Sequence, residues 1–183
     1  MIRPVVEADH PVILEVIEDA AAAYRGVIPA DCWHEPYLTA VELRDEVAAG
    51  IEFFGWEERG AILGVMGLQH VRGVTLIRHA YTRPADQRRG IGSQLLAHLR
   101  ERAPGRLLVG TWAAAGWAAR FYEQRGFTRV EPEETERLLT TYWTVPERQR
   151  QASVVLAATG RPEASAFASE TVGKETSQWP RHG

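Results

Sequence analysis

The sequence predicts one domain of the α/β or α+β class, built on a mixed sheet with helices on both faces. Three consecutive runs rich in β-branched and aromatic residues are separated by turns short enough for hairpins, which predicts an antiparallel meander. After this meander, apolar runs alternate with segments of helical periodicity, as in a strand–helix–strand series. The chain has 183 residues, of which 45% are hydrophobic and 25% charged, enough to bury the core of one such domain.

The first fifty residues are predicted to form a short strand and two helices. The strand covers Ile2–Val6, and Asp9 is expected to cap a helix that fades near residues 24–26. The apolar residues that share one face of this helix are Val12, Ile13, Val16 and Ile17. An aromatic and polar loop follows, and then Thr39 begins a T-A-V-E capping box, so we expect a second helix that ends at Gly50.

The meander comprises the next three predicted strands, Ile51–Trp56, Ala61–His70 and Val74–Thr82. Behind it the period changes to that of a helix, which ends at Pro104. The apolar residues on one face of this third helix are Ile91, Leu95, Leu96 and Leu99.

The last part of the domain is predicted to alternate strands with helices. Leu107–Val109 is a continuous apolar run, typical of a strand buried on both faces, and an alanine-rich helix follows it and ends at Gly126. A strand is expected over Phe127–Val130, a helix over Glu133–Tyr142 and a final strand over Ser153–Ala157.

Composition limits the partners and the compartment. We assign residues 1–158 to the domain and residues 159–183 to a low-complexity tail, expected to be mobile because it has few large apolar residues. The net charge of −3 provides no broad basic surface for nucleic acid. The lone Cys32 cannot form an internal disulfide, and the N-terminus has no long apolar run, so we expect a cytoplasmic protein without a signal peptide or membrane span. The six histidines lack H-x-x-x-H or H-E-x-x-H spacing, so no metal is predicted.

The segment from Tyr81 to Ser93 places a strand end, a glycine-containing turn and a helix start in immediate succession. The first amides of a helix have no intrahelical acceptor, and the helix dipole adds positive charge there. Glycines let a phosphate approach the backbone closely, so the segment predicts a cradle for a pyrophosphate. A Walker loop is excluded because Gly-Lys-Ser/Thr is absent, and a dinucleotide-binding fold would place such a turn after its first strand.

Two motifs resemble those of the GNAT N-acetyltransferases. The run Gln87–Gly92 is similar to their Q/R-x-x-G-x-G/A signature, and Ala118–Phe127 resembles their A-x-x-F-Y-E-x-x-G-F segment. The order of elements over residues 1–157 also resembles that superfamily. Other segments, such as Leu76–Tyr81, are similar to a small bacterial and archaeal branch whose acceptors are unassigned. The resemblance implies the GNAT fold, with a mostly antiparallel sheet of about six to seven strands.

The resemblance also implies a binding site for acetyl-CoA as cosubstrate. The backbone of the fourth strand would hold the pantetheine arm at Ala80, Tyr81 and Thr82. The fourth and fifth strands would diverge near the thioester. The residues that would hold the pyrophosphate are Arg88, Arg89, Gly90, Ile91, Gly92 and Ser93.

Roles in the reaction follow in the same way. Tyr122 matches the family tyrosine near the sulfur, and its phenol, with a reference pKa of about 10, can donate a proton at neutral pH. The oxyanion donor is expected to be a backbone N–H near Ala80. His79 is the candidate base, because it lies in the strand beside the expected thioester. A packed or surface role for His79 stays open, and the further candidates for the base are His70, His34 and Glu35.

The sequence also offers candidates for the acceptor pocket, and it departs from the family pattern at two positions. The residues expected to shape the pocket are Tyr24, Trp33, His34, Glu35 and Gln69. Gly110 stands where some relatives carry a Glu, and Ala115 stands where many carry an Asn that contacts pantetheine.

The sequence therefore predicts an N-acetyltransferase that moves an acetyl group onto a primary amine by direct attack on the thioester. The acceptor is expected to be a small-molecule or peptide amine, with neither nucleic acid nor a membrane as partner. A homodimer is left open. The alternative is a catalytically silent acyl-CoA-binding sensor, which the departures at Gly110 and Ala115 would suit.

Overall fold

Seven strands form one sheet in the computed structural model, which describes residues 1–159. The strands are β1 (Ile2–Pro4), β2 (Ile51–Glu58), β3 (Ala61–Val71), β4 (Val74–Thr82), β5 (Arg106–Trp112), β6 (Phe127–Arg129) and β7 (Ser153–Ala158). Their spatial order is β1-β2-β3-β4-β5-β7-β6, and every neighbouring pair is antiparallel except β4 with β5. The predicted mixed and mostly antiparallel sheet is confirmed.

Within residues 1–159, six α-helices lie on the two faces of this sheet. They are α1 (His10–Ala21), α2 (Ala40–Ala48), α3 (Ile91–Glu101), α4 (Gly116–Glu123), α5 (Pro132–Tyr142) and α6 (Glu147–Gln151). The apolar residues of α3 and α4 pack on one face, and those of α1, α2 and α5 pack on the other. Helix α6 was not predicted, since its sequence E-R-Q-R-Q contains no apolar residue and so shows no periodicity.

Local capping chemistry decides where the first two helices begin. In the predicted capping box, the Glu42 amide donates to Thr39 Oγ1 at 3.1 Å and the Thr39 amide donates to Glu42 Oε2 at 2.7 Å. The expected cap at Asp9 is wrong, because its side chain makes no cap hydrogen bond to α1. The Asp9 carboxylate instead accepts the Val6 amide at 2.9 Å and two N–H groups of Arg3 at 2.7 and 3.0 Å.

Strand β5 lies at the centre of the core, between α3 on one face and α5 on the other. Leu107, Leu108 and Val109 are each no more than 4% exposed, as the continuous apolar run predicts. Leu107 and Val109 pack with α3, whereas Leu108 packs with α5. The alternation of side chains along a strand therefore serves both layers.

The sheet opens between β4 and β5, which positions the site. These strands pair in parallel from Val74 with Arg106 to Ile77 with Val109, and the pairing ends there. Beyond that point β4 stays paired with β3, while β5 stays paired with β7 to its last residue. The two strands therefore separate towards their C-terminal ends and leave a slot between them.

The last described residue, Thr159, is hydrogen-bonded to the residue just before β6. The amide and the hydroxyl of Thr159 both donate to the Gly126 carbonyl, each at 2.8 Å. The rest of the predicted tail, residues 160–183, lies outside the described residues. Within residues 1–159, no helix is both long and apolar enough to cross a membrane.

Candidate active site

A cavity of about 1110 Å³ opens where β4 and β5 separate. Its lining comes from β4, β5, the starts of α3 and α4, and the segment that joins α1 to α2. All of the predicted catalytic and cofactor-binding residues line this cavity except Arg89. The fold therefore brings together side chains and backbone from residues 79 to 122.

The predicted anion cradle forms the start of α3. Gly90 precedes the helix with φ +85° and ψ 0°, a left-handed conformation that glycine adopts without strain. The Gln94 amide makes the first bond of the helix to the Gly90 carbonyl, at 3.0 Å. The preceding amides, of Ile91, Gly92 and Ser93, have no acceptor within the helix and carry the positive end of its dipole. This geometry suits a bound diphosphate.

Three arginines, Arg88, Arg120 and Arg125, line the cavity, and the sequence analysis singled out only Arg88. Arg125 donates to Ser93 Oγ from Nε at 2.9 Å and from Nη2 at 2.7 Å, and its guanidinium lies 4.0 Å from the centre of the Phe121 ring. Arg88 and Arg120 line the cavity and form no ion pair with any residue in the range 1–159. No spacing or motif singled out Arg125, because its position depends on packing between α3 and the end of α4.

Arg89 is placed differently from its neighbour Arg88. Its guanidinium pairs with Asp86 at 2.5 Å and with Glu58 at 2.7 Å, and its side chain does not line the cavity. Only the backbone of Arg89 therefore remains near the predicted cradle. Two adjacent arginines cannot be told apart in the sequence, because the partner Glu58 comes from the end of β2.

Tyr122 is held on the buried face of α4. It is 4% exposed, and its ring packs edge-on against Phe121 and Phe127, with centroid distances of 5.0 and 5.4 Å. Burial raises the pKa of the Tyr122 phenol well above its ordinary value of 10. The hydroxyl is therefore protonated at any pH near neutrality and can act as a proton donor.

His79 lies in an irregular turn of β4. The register places Val65 opposite Tyr81 and Gly67 opposite Arg78, so β4 has one more residue than β3 between these pairs. This is a β-bulge, and His79 adopts φ +48° in it. Its Nε2 lies 2.5 Å from Oε2 of Glu46 on α2. Glu46 also lines the cavity and was missed by the sequence analysis, since α2 is polar at this position and shows no motif.

Aromatic rings from the segment after α1 line the cavity. Tyr24 and Tyr37 stack at 5.9 Å, and Tyr24 stacks on Trp117 at 5.8 Å. The Trp112 Nε1–H donates to the Tyr37 hydroxyl at 3.1 Å. Burial raises the pKa of Tyr24 to about 12 and raises the pKa values of Tyr37 and Tyr81 as well, so all of these phenols are neutral at physiological pH.

The other residues considered for the base or the pocket divide into two groups. His34 lines the cavity. Trp33, Glu35, Gln69 and His70 do not. Glu35 pairs with Arg25 at 2.5 Å, and His70 bonds to Thr75 Oγ1 at 3.1 Å, near the far end of β4.

Packed side chains surround the two positions, Gly110 and Ala115, at which the sequence departs from the family pattern. A Cβ at Gly110 would lie 3.5 Å from the Trp143 indole, so this indole occupies the space beside the position where some relatives carry a carboxylate. Ala115 is fully buried and packs with Ile28 and Trp112. Within residues 1–159, no group of three or more His, Cys, Asp and Glu side chains is arranged to hold a metal ion.

Known proteins resemble this chain in sequence and in fold. The peptidyl-lysine N-acetyltransferase YiaC of Escherichia coli K12 is 28% identical over 131 residues, which cover 72% of this chain and 85% of YiaC. The structure of PaiA N-acetyltransferase from Thermoplasma acidophilum in complex with coenzyme A superposes with a TM-score of 0.67 at 16% identity, over 87% of this chain and 98% of that one. The ribosomal-protein-S18-alanine N-acetyltransferase of Escherichia coli superposes with a TM-score of 0.61 at 18% identity, over 91% of this chain and 99% of that one.

The family match covers the centre of the site. Residues 49–129 match the model of the acetyltransferase (GNAT) domain, a range that includes the bulge of β4, the cradle and Tyr122. Over this range the chain is similar to the acetyltransferase (GNAT) domain, and it shares its fold with solved structures of N-acetyltransferases.

Proposed function

We propose that the protein transfers the acetyl group of acetyl-CoA to a primary amine by direct attack on the thioester. The observation that carries this proposal is that the free amides of the cradle and the buried phenol of Tyr122 border one cavity, in the slot between β4 and β5. A diphosphate bound at one end would leave the thioester near the phenol at the other.

The residues present fit a CoA-type molecule. A cavity of about 1110 Å³ has room for such a molecule together with part of an acceptor. The amides of Ile91, Gly92 and Ser93 would hold the diphosphate, with Arg88 and Arg125 adding positive charge. The edge of β4 at residues 80–82, which no longer pairs with β5, would hold the pantetheine arm as an added strand.

Three groups of the chain then assist the transfer. His79 takes the proton that the attacking amine must lose, directly or through water. A backbone N–H near Ala80 stabilises the negative charge that develops on the carbonyl oxygen. Tyr122 donates its proton to the departing thiolate. It can do so because burial raises the pKa of the phenol and keeps it protonated near neutral pH.

The proposed acceptor is a primary amine on a small molecule or on a peptide lysine. YiaC is a peptidyl-lysine N-acetyltransferase, which supports the second choice. The carboxylate of Glu42 and the rings of Tyr24 and Tyr37 line the cavity. Carboxylates and the faces of aromatic rings both favour cationic groups.

Two measurements test the proposal. Titration calorimetry of the full chain with coenzyme A should show binding, and a thiol-release assay with acetyl-CoA should show turnover with polyamines, amino acids or lysine peptides. Binding without turnover across the panel would favour the silent sensor. Absence of binding by both coenzyme A and acetyl-CoA would remove the donor and refute the proposal.

A further inference from the structure

Glu46 and His79 form an isolated polar pair between α2 and β4. His79 Nε2 and Glu46 Oε2 lie 2.5 Å apart, and the two side chains are 14% and 24% exposed. Both atoms are enclosed from solvent, and neither forms a hydrogen bond within residues 1–159, so the close contact between them is an ion-pair contact. Each therefore depends on the other for its polar contact.

The contact favours one tautomer of the His79 ring. An ionised carboxylate has no hydrogen to donate, so a proton between the two groups would be carried by Nε2. In the neutral ring, Nδ1 then holds the lone pair. Nε2 is enclosed against Glu46 while the side chain of His79 lines the cavity, so Nδ1 is the nitrogen left to meet an acceptor.

Hydrogen bonds from other residues restrain the carboxylate of Glu46. Its second oxygen, Oε1, accepts from Arg78 Nη2 at 3.3 Å, and Arg78 Nη1 donates to Gln69 Oε1 at 2.9 Å. Gln69 Nε2 donates in turn to the Ala49 carbonyl just after α2, at 3.0 Å. This chain of bonds restrains the carboxylate from α2, β3 and β4, so the orientation of His79 does not depend on a flexible surface side chain.

We infer that Glu46 is a positioning residue for the proposed base: it fixes the tautomer and orientation of His79 and stabilises the imidazolium formed when Nδ1 takes the proton of the amine. The inference rests on the proposed function, in which His79 is that base. Glu46 acts through His79 and transfers no proton itself.

Other charged or titratable groups line the same cavity. They are Glu42 on α2, Arg78 and Tyr81 on β4, Tyr24, Cys32, His34 and Tyr37 between α1 and α2, Asp86 and Arg88 before α3, Arg120 and Tyr122 on α4, and Arg125 after α4. The phenols stay neutral near pH 7, and Arg78 stays charged although burial lowers its pKa. The Glu42 carboxylate accepts the Thr39 amide at the start of α2. Glu46 is the carboxylate in contact with His79.

The test compares Glu46→Gln with Asp45→Asn, which makes the same change of charge one residue earlier on α2 at an exposed position outside the cavity lining. For Glu46→Gln we expect kcat/KM with the best amine to fall at least tenfold, with coenzyme A affinity unchanged. We also expect the loss to fall on kcat, with the KM for the amine changed by less than about threefold, since Glu46 acts through His79. The ring proton signals of His79 in the CoA-bound protein, assigned with His79→Gln, should change position in Glu46→Gln and stay in place in Asp45→Asn.

Glu46→Asp provides a second variant that keeps the charge beside Arg78, so the test does not depend on the folding of Glu46→Gln alone. Its kcat should stay closer to that of the wild type than the kcat of Glu46→Gln. A kcat and His79 ring signals for Glu46→Gln that match those of Asp45→Asn would overturn the role of Glu46 while leaving the proposed function intact. A wild-type protein that binds coenzyme A without acetylating any amine would instead refute the proposed function, and the catalytic role of Glu46 with it.

Discussion

Replacing Tyr122 with phenylalanine removes one hydroxyl from the candidate site and leaves the ring in place. The ring is held by edge-on contacts with Phe121 and Phe127, which phenylalanine can make equally well. The hydroxyl has no hydrogen-bond partner among residues 1–159, so its loss leaves no buried group unpaired within that part of the chain. We therefore expect the free energy of unfolding to change by less than about 1 kcal/mol.

The expected effect on turnover is much larger. A positioned general acid contributes roughly 10²–10⁴-fold, which corresponds to about 2.7–5.5 kcal/mol of barrier. Tyr122→Phe should therefore lower kcat at least about 100-fold, with coenzyme A affinity changed by less than about threefold. In the wild type, the raised pKa of Tyr122 keeps the phenol protonated, so its ionisation should cause no loss of activity below about pH 10.

The measurements are a thiol-release assay, calorimetry with coenzyme A, and thermal unfolding. Tyr142→Phe is the matched control, because Tyr142 packs against the core on α5 and does not line the cavity. A Tyr122→Phe variant that turns over as fast as Tyr142→Phe would refute the acid assignment. Equal losses of turnover and of cofactor affinity would show that the hydroxyl supports binding instead.

Three further predictions concern the cradle and the stability of the fold. Gly90→Ala places a side chain at φ +85°, which should cost about 1–2 kcal/mol of stability and raise the Kd for coenzyme A. A free energy of unfolding and a calorimetric Kd equal to those of the wild type would contradict the left-handed conformation at this position. Asp9→Asn removes one of the two carboxylates that pair with Arg3, the other being Glu57, and should cost about 1 kcal/mol at pH 7 in urea unfolding. The Asp9 pKa is lowered from 3.8 to about 2, so this cost should be full above about pH 4 and vanish as the pH falls through 2; a pH-independent difference would rule out the ion pair as its cause. Thr39→Ala breaks the capping box with Glu42 and should lower stability by about 1 kcal/mol without affecting coenzyme A binding, and an unchanged melting temperature would argue against the cap.

Much of the fold could be predicted because its signals are local. The Thr39 capping box, the apolar face of α3 and the buried run of β5 all depend on residues within a few positions of one another. The same local reasoning was wrong at Asp9, where a nearby arginine and the Val6 amide compete for the carboxylate. It also missed α6, whose five polar residues are helical without an apolar face.

The candidate site was predictable only in part. The cradle from Arg88 to Ser93 and Tyr122 belong to contiguous motifs, and these residues line the cavity apart from the Arg89 side chain. Their chemical roles stay predictions. Arg89 and Arg125 show the limit of sequence reasoning, since Arg89 pairs with Glu58 from β2 while Arg125 reaches Ser93 across two helices.

Chain-local patterns were thus enough to predict the class of fold and the glycine-containing turn at the start of α3, because helix starts, turns and strand alternation arise from neighbouring residues. The pairing of Glu46 with His79, the turn of Arg89 away from the cavity and the slot between β4 and β5 needed the folded chain. Each of these features joins residues more than thirty positions apart or depends on where two strands cease to pair, and their contacts exist only after the sheet and its helices have packed.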